Sequence, residues 1–255
     1  MAKLGTDPYK GVRDFYPEDM VIQNYIFNVW RKTAEKFGYV EYGASLLEPT
    51  EIYTEKSGAE IINEQTFTFM DRGDRSVTLR PEITPSLARM VAARRRNLKF
   101  PLRWYSIPNL FRYERPQRGR KREHWQLNCD LLGIAGIEAE KEIISLIYTI
   151  MKEFGAKDED FEIRINNSDI NNFKEIGSNL VFDPELARGQ TYYTGIVFEI
   201  FDTNKANGRA LAGGGRYDNL LEMFEAEPIP AVGFGMGDIT IRDFLETHGL
   251  PLCAK

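Results

Sequence analysis

Cysteine is almost missing from this chain. Cys129 and Cys253 are its only two thiols, too few for a disulfide framework and too isolated for a zinc site. Long apolar runs are missing too. None approaches about eighteen residues, which excludes a membrane-spanning helix and leaves no membrane partner to expect. The opening MAKLGTDPYKG lacks the apolar core of a secretion signal, so the expected compartment is a reducing cytoplasm. Nor is there an excess of positive charge. With 33 Lys and Arg against 38 Asp and Glu, the net charge is −5, and any contact with a polyanion has to be local. Internal repeats and low-complexity tracts are absent.

What remains is ordinary globular material: 42% hydrophobic and 28% charged residues in 255 positions, enough for one large domain or two small ones. Residues 16–39 read as a first helix, with Pro17 in its first turn and Tyr25, Ile26, Val29, Trp30 and Ala34 on one face. Thr66–Met70 and Ser76–Leu79, joined by DRGD, form a hairpin signature. A helix follows Glu82, with Thr84 as its expected cap and Pro85 in its first turn. Residues 102–114 and 123–134 read as two strands around a polar loop, and 137–155 as an amphipathic helix ended by Gly155. FEIRIN and IVFEIF add strands, and PAVGFGMGDITIRDFLETHG reads as a strand that breaks at glycines into a helix. Strands joined by hairpins with helices grouped between them predict an α+β fold on a mainly antiparallel sheet.

Against the acidic background, one stretch is strongly basic. Arg112, Arg115, Arg118, Arg120, Lys121 and Arg122 fall within eleven positions, opposed by Glu114 alone. Arginine forks match phosphate oxygens; a solvated hairpin tip and a nucleic-acid-binding finger are the other readings of this loop. On the return strand, Gln126, Asn128 and Asp130 share one face by the period of two, and Leu127, Cys129 and Leu131 share the other. Three polar residues on one face of a core-like strand read as a pocket floor or as a plain solvent face. Glu82 and Thr84 stand where a strand turns into a helix, suited to an ammonium group, or to the helix dipole in the case of Glu82. Arg188 lies close to Tyr192 and Tyr193, with Gly189 and Gly195 loosening the backbone. The three glycines of LAGGGRYD, ahead of Tyr217, indicate backbone packed closely against something.

Taken together, KGVRDFYPEDM, TFTFMDRGDRSVTLRPEIT, FRYERPQRGRKREHWQLNCDLLG, RGQTYYTGIVFE, AGGGRYDNLLE and AVGFGMGD resemble, in order, the catalytic domain of histidyl-tRNA synthetases, which are class II aminoacyl-tRNA synthetases. The resemblance spans most of residues 10 to 238. It implies an antiparallel β-sheet flanked by helices, a homodimer, and activation of L-histidine by ATP with Mg²⁺. By match to the family, Arg112 and Arg188 are the catalytic cations on the α-phosphate. Glu114, Arg120, Arg122 and His124 complete the ATP site. Glu82, Thr84, Gln126, Asp130, Arg188, Tyr192, Tyr193 and Tyr217 hold histidine. The acceptor end of tRNA(His) is the implied macromolecular partner.

Several positions depart from the family pattern. Asp130 stands where the family has Glu, Gln190 and Thr191 replace the Leu-Asp pair of its R-G-L-D-Y-Y segment, and Ser45 replaces a proline of the dimer motif. Ile239 and Thr240 occupy the last two places of a G-x-E-R motif whose arginine touches the γ-phosphate. The whole of residues 1–255 is read as a single catalytic domain. Residues 166 to about 180 stand where the family inserts a helical domain, and no anticodon-binding domain follows the last motif. The same lack marks the second reading, a histidine-sensing regulatory subunit of ATP phosphoribosyltransferase. That reading has no need for phosphate-gripping arginines.

Overall fold

The computed structural model describes residues 4–54, 65–186 and 192–254. Helix α1, Pro17–Lys36, begins with Pro17 at its N-terminus and with Glu18 and Asp19 in its first turn, where acidic side chains suit the dipole. Strands β1 (Val40–Glu41) and β2 (Leu47–Pro49) follow, then the short helix α2 (Glu51–Thr54). The pattern TEIYTEKSG reads as a short helix starting at Thr50, and its residues past Thr54 lie outside the described residues.

The DRGD hairpin forms as the sequence predicts, between β3 (Phe67–Met70) and β4 (Ser76–Leu79). Asp71 organises its turn by accepting the Gly73 and Arg75 amides at 2.8 and 3.0 Å. Helix α3 is Thr84–Arg94. Thr84 is not its cap. Ile83 occupies that place with φ −100° and ψ −21°, already helical, and no side chain caps the end. The fully buried Ile83 draws the chain into the helix one residue early, and Thr84 lines a cavity instead.

The strand expected over 102–114 is two strands, β5 (Leu102–Ser106) and β6 (Asn109–Phe111). Pro108 has no amide to donate, and the break falls there. Strand β7, Glu123–Leu132, is long enough to pair with both, Phe111 opposite Glu123 and Leu102 opposite Leu132. Helix α4 (Glu138–Glu153) ends at Gly155, whose φ of +91° is the left-handed turn that glycine makes freely. Beyond it come β8 (Phe161–Ile165), β9 (Leu180–Phe182), β10 (Val197–Asp202), β11 (Ala212–Arg216), β12 (Ala231–Gly237) and helix α5 (Asp238–Thr247). Strand β9 begins where residues 166 to about 180 end, at a place where the sequence pattern marks no strand, and it pairs parallel to β8.

The main sheet runs β1-β5-β7-β12-β11-β10-β8-β9, and β6 pairs with β7. Its internal pairs are antiparallel, and only the outermost pairs at each end are parallel. The fold is thus the α+β, mainly antiparallel architecture expected. Helices α1, α4 and α5 cover one face, where Trp30, Ile147 and Phe244 meet Leu127, Cys129 and Leu131 with no exposure. Arg216 of β11 crosses to Glu140 of α4 in a buried two-pronged ion pair, with Nε–Oε1 2.5 Å and Nη2–Oε2 2.6 Å. A second cluster around Leu87, Val91, Leu132 and Tyr217 closes one end of the opposite face. That opposite face is otherwise open for a site. Strands β2, β4 and β3 form a separate small sheet. Among the described residues no helix is long and apolar enough to cross a membrane, and both cysteines are free.

Candidate active site

The period of two on β7 decides the site's position. Leu127, Cys129 and Leu131 go into the core, which sends Gln126, Asn128 and Asp130 to the open face. Opposite them on β12 stand Gly237, Gly235 and Gly233, and Gly233 and Gly235 in turn face Gly215 and Gly213 of β11. The glycines leave the room that the polar side chains fill. A Cβ on Gly233 would collide with the Asp130 carboxylate and come within 3.0 Å of the Tyr217 hydroxyl, and one on Gly235 would lie 2.6 Å from the Gln126 amide. The floor of the site is therefore main chain.

Above this floor is an inner cavity, open on one side, lined by Glu82, Thr84, Arg112, Gln126, Asn128 and Asp130. Tyr192, Tyr193 and Tyr217 make its aromatic wall, with Tyr192 5.0 Å from Tyr193 and 5.8 Å from Tyr217 between ring centres. Tyr192 donates its hydroxyl to Glu82 at 3.0 Å. Tyr217 donates to Asp130 Oδ1. The other oxygen, Oδ2, is buried without a partner among the described residues. It is an acceptor open to a ligand N–H. Burial pushes the Asp130 carboxyl up to about 7, against the lowering effect of the Tyr217 hydrogen bond. Tyr42, which belongs to no recognisable motif, is pushed far above its ordinary value by burial and then by Asp130.

An outer cleft adjoins the cavity, and Arg112 lines both. Its Nε donates to the Pro81 carbonyl at 3.0 Å, which fixes the guanidinium at the junction. Glu114, Arg120, Lys121 and His124 line the outer cleft with it. Arg120 Nε is 2.6 Å from Glu114 Oε2. Burial first, then Arg112, Arg13 and Arg120, hold the His124 imidazole down to about 3, so it is a neutral ring at ordinary pH. The loop is braced from the N-terminal segment: Arg122 N donates to Gly11 O at 2.7 Å, and Arg13 pairs at 2.7 Å with Asp238, which also accepts the Trp125 amide.

Eight of the residues matched to the family thus surround one cavity, and four surround the cleft beside it, with Arg112 common to both. Arg122 joins neither set. Its guanidinium lies 4.0 Å from the Tyr113 ring centre and donates to the Tyr9 hydroxyl at 2.9 Å. Arg188 lies outside the described residues. Arg242, two residues past the last motif, is paired with Asp19 and Glu246 and does not line the cleft. Arg209, unmarked by any motif, enters the outer cleft from the turn between β10 and β11.

A glycine-floored antiparallel sheet carrying a polar amino-acid-sized cavity beside an arginine-lined cleft defines a class II aminoacyl-tRNA synthetase catalytic domain. The profile of the histidyl-tRNA synthetase family matches residues 11–176 and 167–238, and the chain belongs to that family. A curated histidine–tRNA ligase of Leptospira biflexa is 38% identical over 331 aligned positions, covering 97% of this chain and 76% of that protein. The alignment is longer than the chain, so that ligase carries internal sequence with no counterpart here. The crystal structure of apo histidyl-tRNA synthetase from S. aureus is 27% identical with a TM-score of 0.80, covering 98% of this chain and 72% of that one. A Bacillus halodurans structure described as an ATP phosphoribosyltransferase regulatory subunit/histidyl-tRNA synthetase shares the fold, at 22% identity and a TM-score of 0.78 over 96% of this chain and 84% of that one.

Proposed function

We propose that this chain joins histidine to ATP, forming histidyl-adenylate and pyrophosphate, and passes the histidyl group to tRNA(His). The observation that carries this reading is Arg112, one guanidinium shared by an amino-acid-sized cavity and an arginine-lined cleft. In the reaction, a carboxylate oxygen of histidine bonds to the α-phosphorus. The bond to the bridging oxygen breaks, and pyrophosphate leaves with the electron pair. Charge grows on the α-phosphoryl oxygens, where a fixed cation at the junction stabilises the transition state more than the ground state. Arg188 is the second cation there by its match to the family.

Glu82, Thr84 and Gln126 receive the ammonium group, and Asp130, Tyr193 and Tyr217 read the imidazole, with Tyr192 holding Glu82. His124 stacks on adenine as a neutral ring, and Glu114 and Arg120 bound the phosphate path. No side-chain nucleophile is needed, because positioning and charge carry the step. Among the described residues no three His, Cys, Asp or Glu side chains converge to cage a metal. Glu114 is the one carboxylate lining the cleft among the described residues. That donor set fits Mg²⁺ carried in on ATP, where it would neutralise phosphate charge with Glu114 nearby.

The assembly we infer is a cytoplasmic homodimer of single-domain chains in which residues 166 to about 180 replace the inserted domain. The small sheet supports the dimer: Leu47 and Phe69, on its same face by register, are 44% and 48% exposed. The regulatory-subunit reading gains only a shared fold from the Bacillus halodurans chain. Histidine-dependent exchange of labelled pyrophosphate into ATP decides between them. Exchange is expected, and Arg112→Ala should lower it by about a hundredfold or more. Intact histidine binding without exchange would sink the enzyme reading.

A further inference from the structure

The outer cleft holds a cation that has no hydrogen-bond or ion-pair partner among the described residues. Arg209 sits in the β10–β11 turn, far along the chain from the basic loop, yet the two touch. A Cβ built on Gly119 of that loop would lie 3.0 Å from Arg209 Cδ and 3.6 Å from Thr240 Cγ2. Arg112 and Arg120 of the basic stretch and Arg209 of the β10–β11 turn therefore reach one cleft from two distant segments of the chain. Their counter-charges are unequal. Arg120 has Glu114 at 2.6 Å, and Arg112 has the Pro81 carbonyl at 3.0 Å. Arg209 has neither a hydrogen bond nor an ion pair with any described residue. Burial and then Arg120 push its guanidinium below the ordinary value, and Glu114 opposes them. Two guanidinium groups beside one carboxylate leave a surplus of positive charge, which an entering anion relieves. Thr240, next to Arg209, brings no charge and spends its hydroxyl on the carbonyls of Leu211 and Gly237 at 3.4 and 3.2 Å.

Position selects which part of the nucleotide this is. Arg112 lies at the mouth of the inner cavity, where the α-phosphate meets the amino acid. Arg209 does not line that cavity. It lines the outer cleft and the hollow beyond it, formed with Arg118, Asn207 and Asp243. We propose that Arg209 grips the outer phosphates of ATP and holds the charge that gathers on pyrophosphate as it leaves. This rests on the nucleotide reading of the cleft given above.

The test is direct binding of MgATP and of AMP to the full chain, measured by calorimetry. AMP lacks the outer phosphates, so it reports on folding and on the adenine end alone. Arg209→Ala should weaken MgATP about tenfold to a hundredfold, the range of a lost charge-assisted contact, and leave AMP affinity and the melting temperature unchanged. Arg209→Lys should keep most of the ATP affinity. Adding Thr240→Arg to Arg209→Ala should restore part of it, because the new cation enters the same cleft. Unchanged ATP affinity in Arg209→Ala, or an equal loss for ATP and AMP, overturns the proposal. Tight ATP binding by the unmodified chain without exchange would overturn the enzyme reading and leave Arg209 standing, whereas no ATP binding at all overturns both.

Discussion

Asp130 is the residue on which stability and chemistry meet. Burial holds its carboxyl near 7, whereas in an unfolded chain it ionises near 3.8. Between roughly pH 4 and 7 the folded chain therefore keeps a proton that the unfolded chain has released, and stability falls as pH rises through that window. Asp130→Asn removes the ionisation. The ligand-free variant is expected to melt several degrees above the parent at pH 8, with the gap closing toward pH 4.5, in scanning calorimetry at both pH values. A gap independent of pH would show that the carboxyl ionises near its ordinary value. Asp130, with Gln126 and Asn128, was legible because a period of two needs only the core-facing leucines to set its phase. Arg209 and Tyr42 were not legible, since each reaches the site through a tertiary contact and carries no local pattern. The packing of Arg122 between Tyr9 and Tyr113 was equally invisible, because charge alone does not say which arginine of a cluster finds aromatic rings.

Among the elements, β11 and β12 matter most, through what they omit. Gly233→Ala places a methyl group against the Asp130 carboxylate and 2.8 Å from the Cys129 carbonyl, which strand pairing on both sides of β7 keeps from moving away. Strain of this kind costs about 1–3 kcal/mol. The expected result is a lower melting temperature together with loss of histidine-dependent exchange; full exchange in the variant would mean that Asp130 is not where histidine binds. The Arg216–Glu140 pair tests a purely structural link between β11 and α4. Arg216→Ala leaves Glu140 buried and unpaired, at about 3–5 kcal/mol, so its urea midpoint should drop while the histidine KM of the folded fraction stays constant. Helix α4 and the DRGD hairpin could be read in advance because periodicity and turn chemistry agreed with the final packing. The break at Pro108 and the parallel strand β9 could not. One depends on β7 being long enough to pair twice, and the other is three residues whose strand character comes only from β8.

At the scale of the molecule, an acidic protein concentrates arginines in one cleft. That concentration gives the cleft a local positive field although the chain as a whole carries a net charge of −5. The small sheet makes the other large-scale prediction. Sedimentation velocity should give about twice 29.4 kDa for the parent. Phe69→Asp should shift it toward the monomer, and a monomeric parent would remove the dimer from the account. The order of the six matching segments made the family legible from sequence. The arrangement of two cavities around one arginine was not, because it depends on where β6 and β7 bring their side chains in space. The glycine floor has one further consequence. Main-chain atoms are the same in every sequence, so a point mutation of the floor can only crowd the site with a side chain and cannot reshape it for another substrate. A change of amino-acid preference in this lineage has to come through the walls, from β7 on one side and the tyrosines on the other, and the number of single-step routes to a new specificity is correspondingly small.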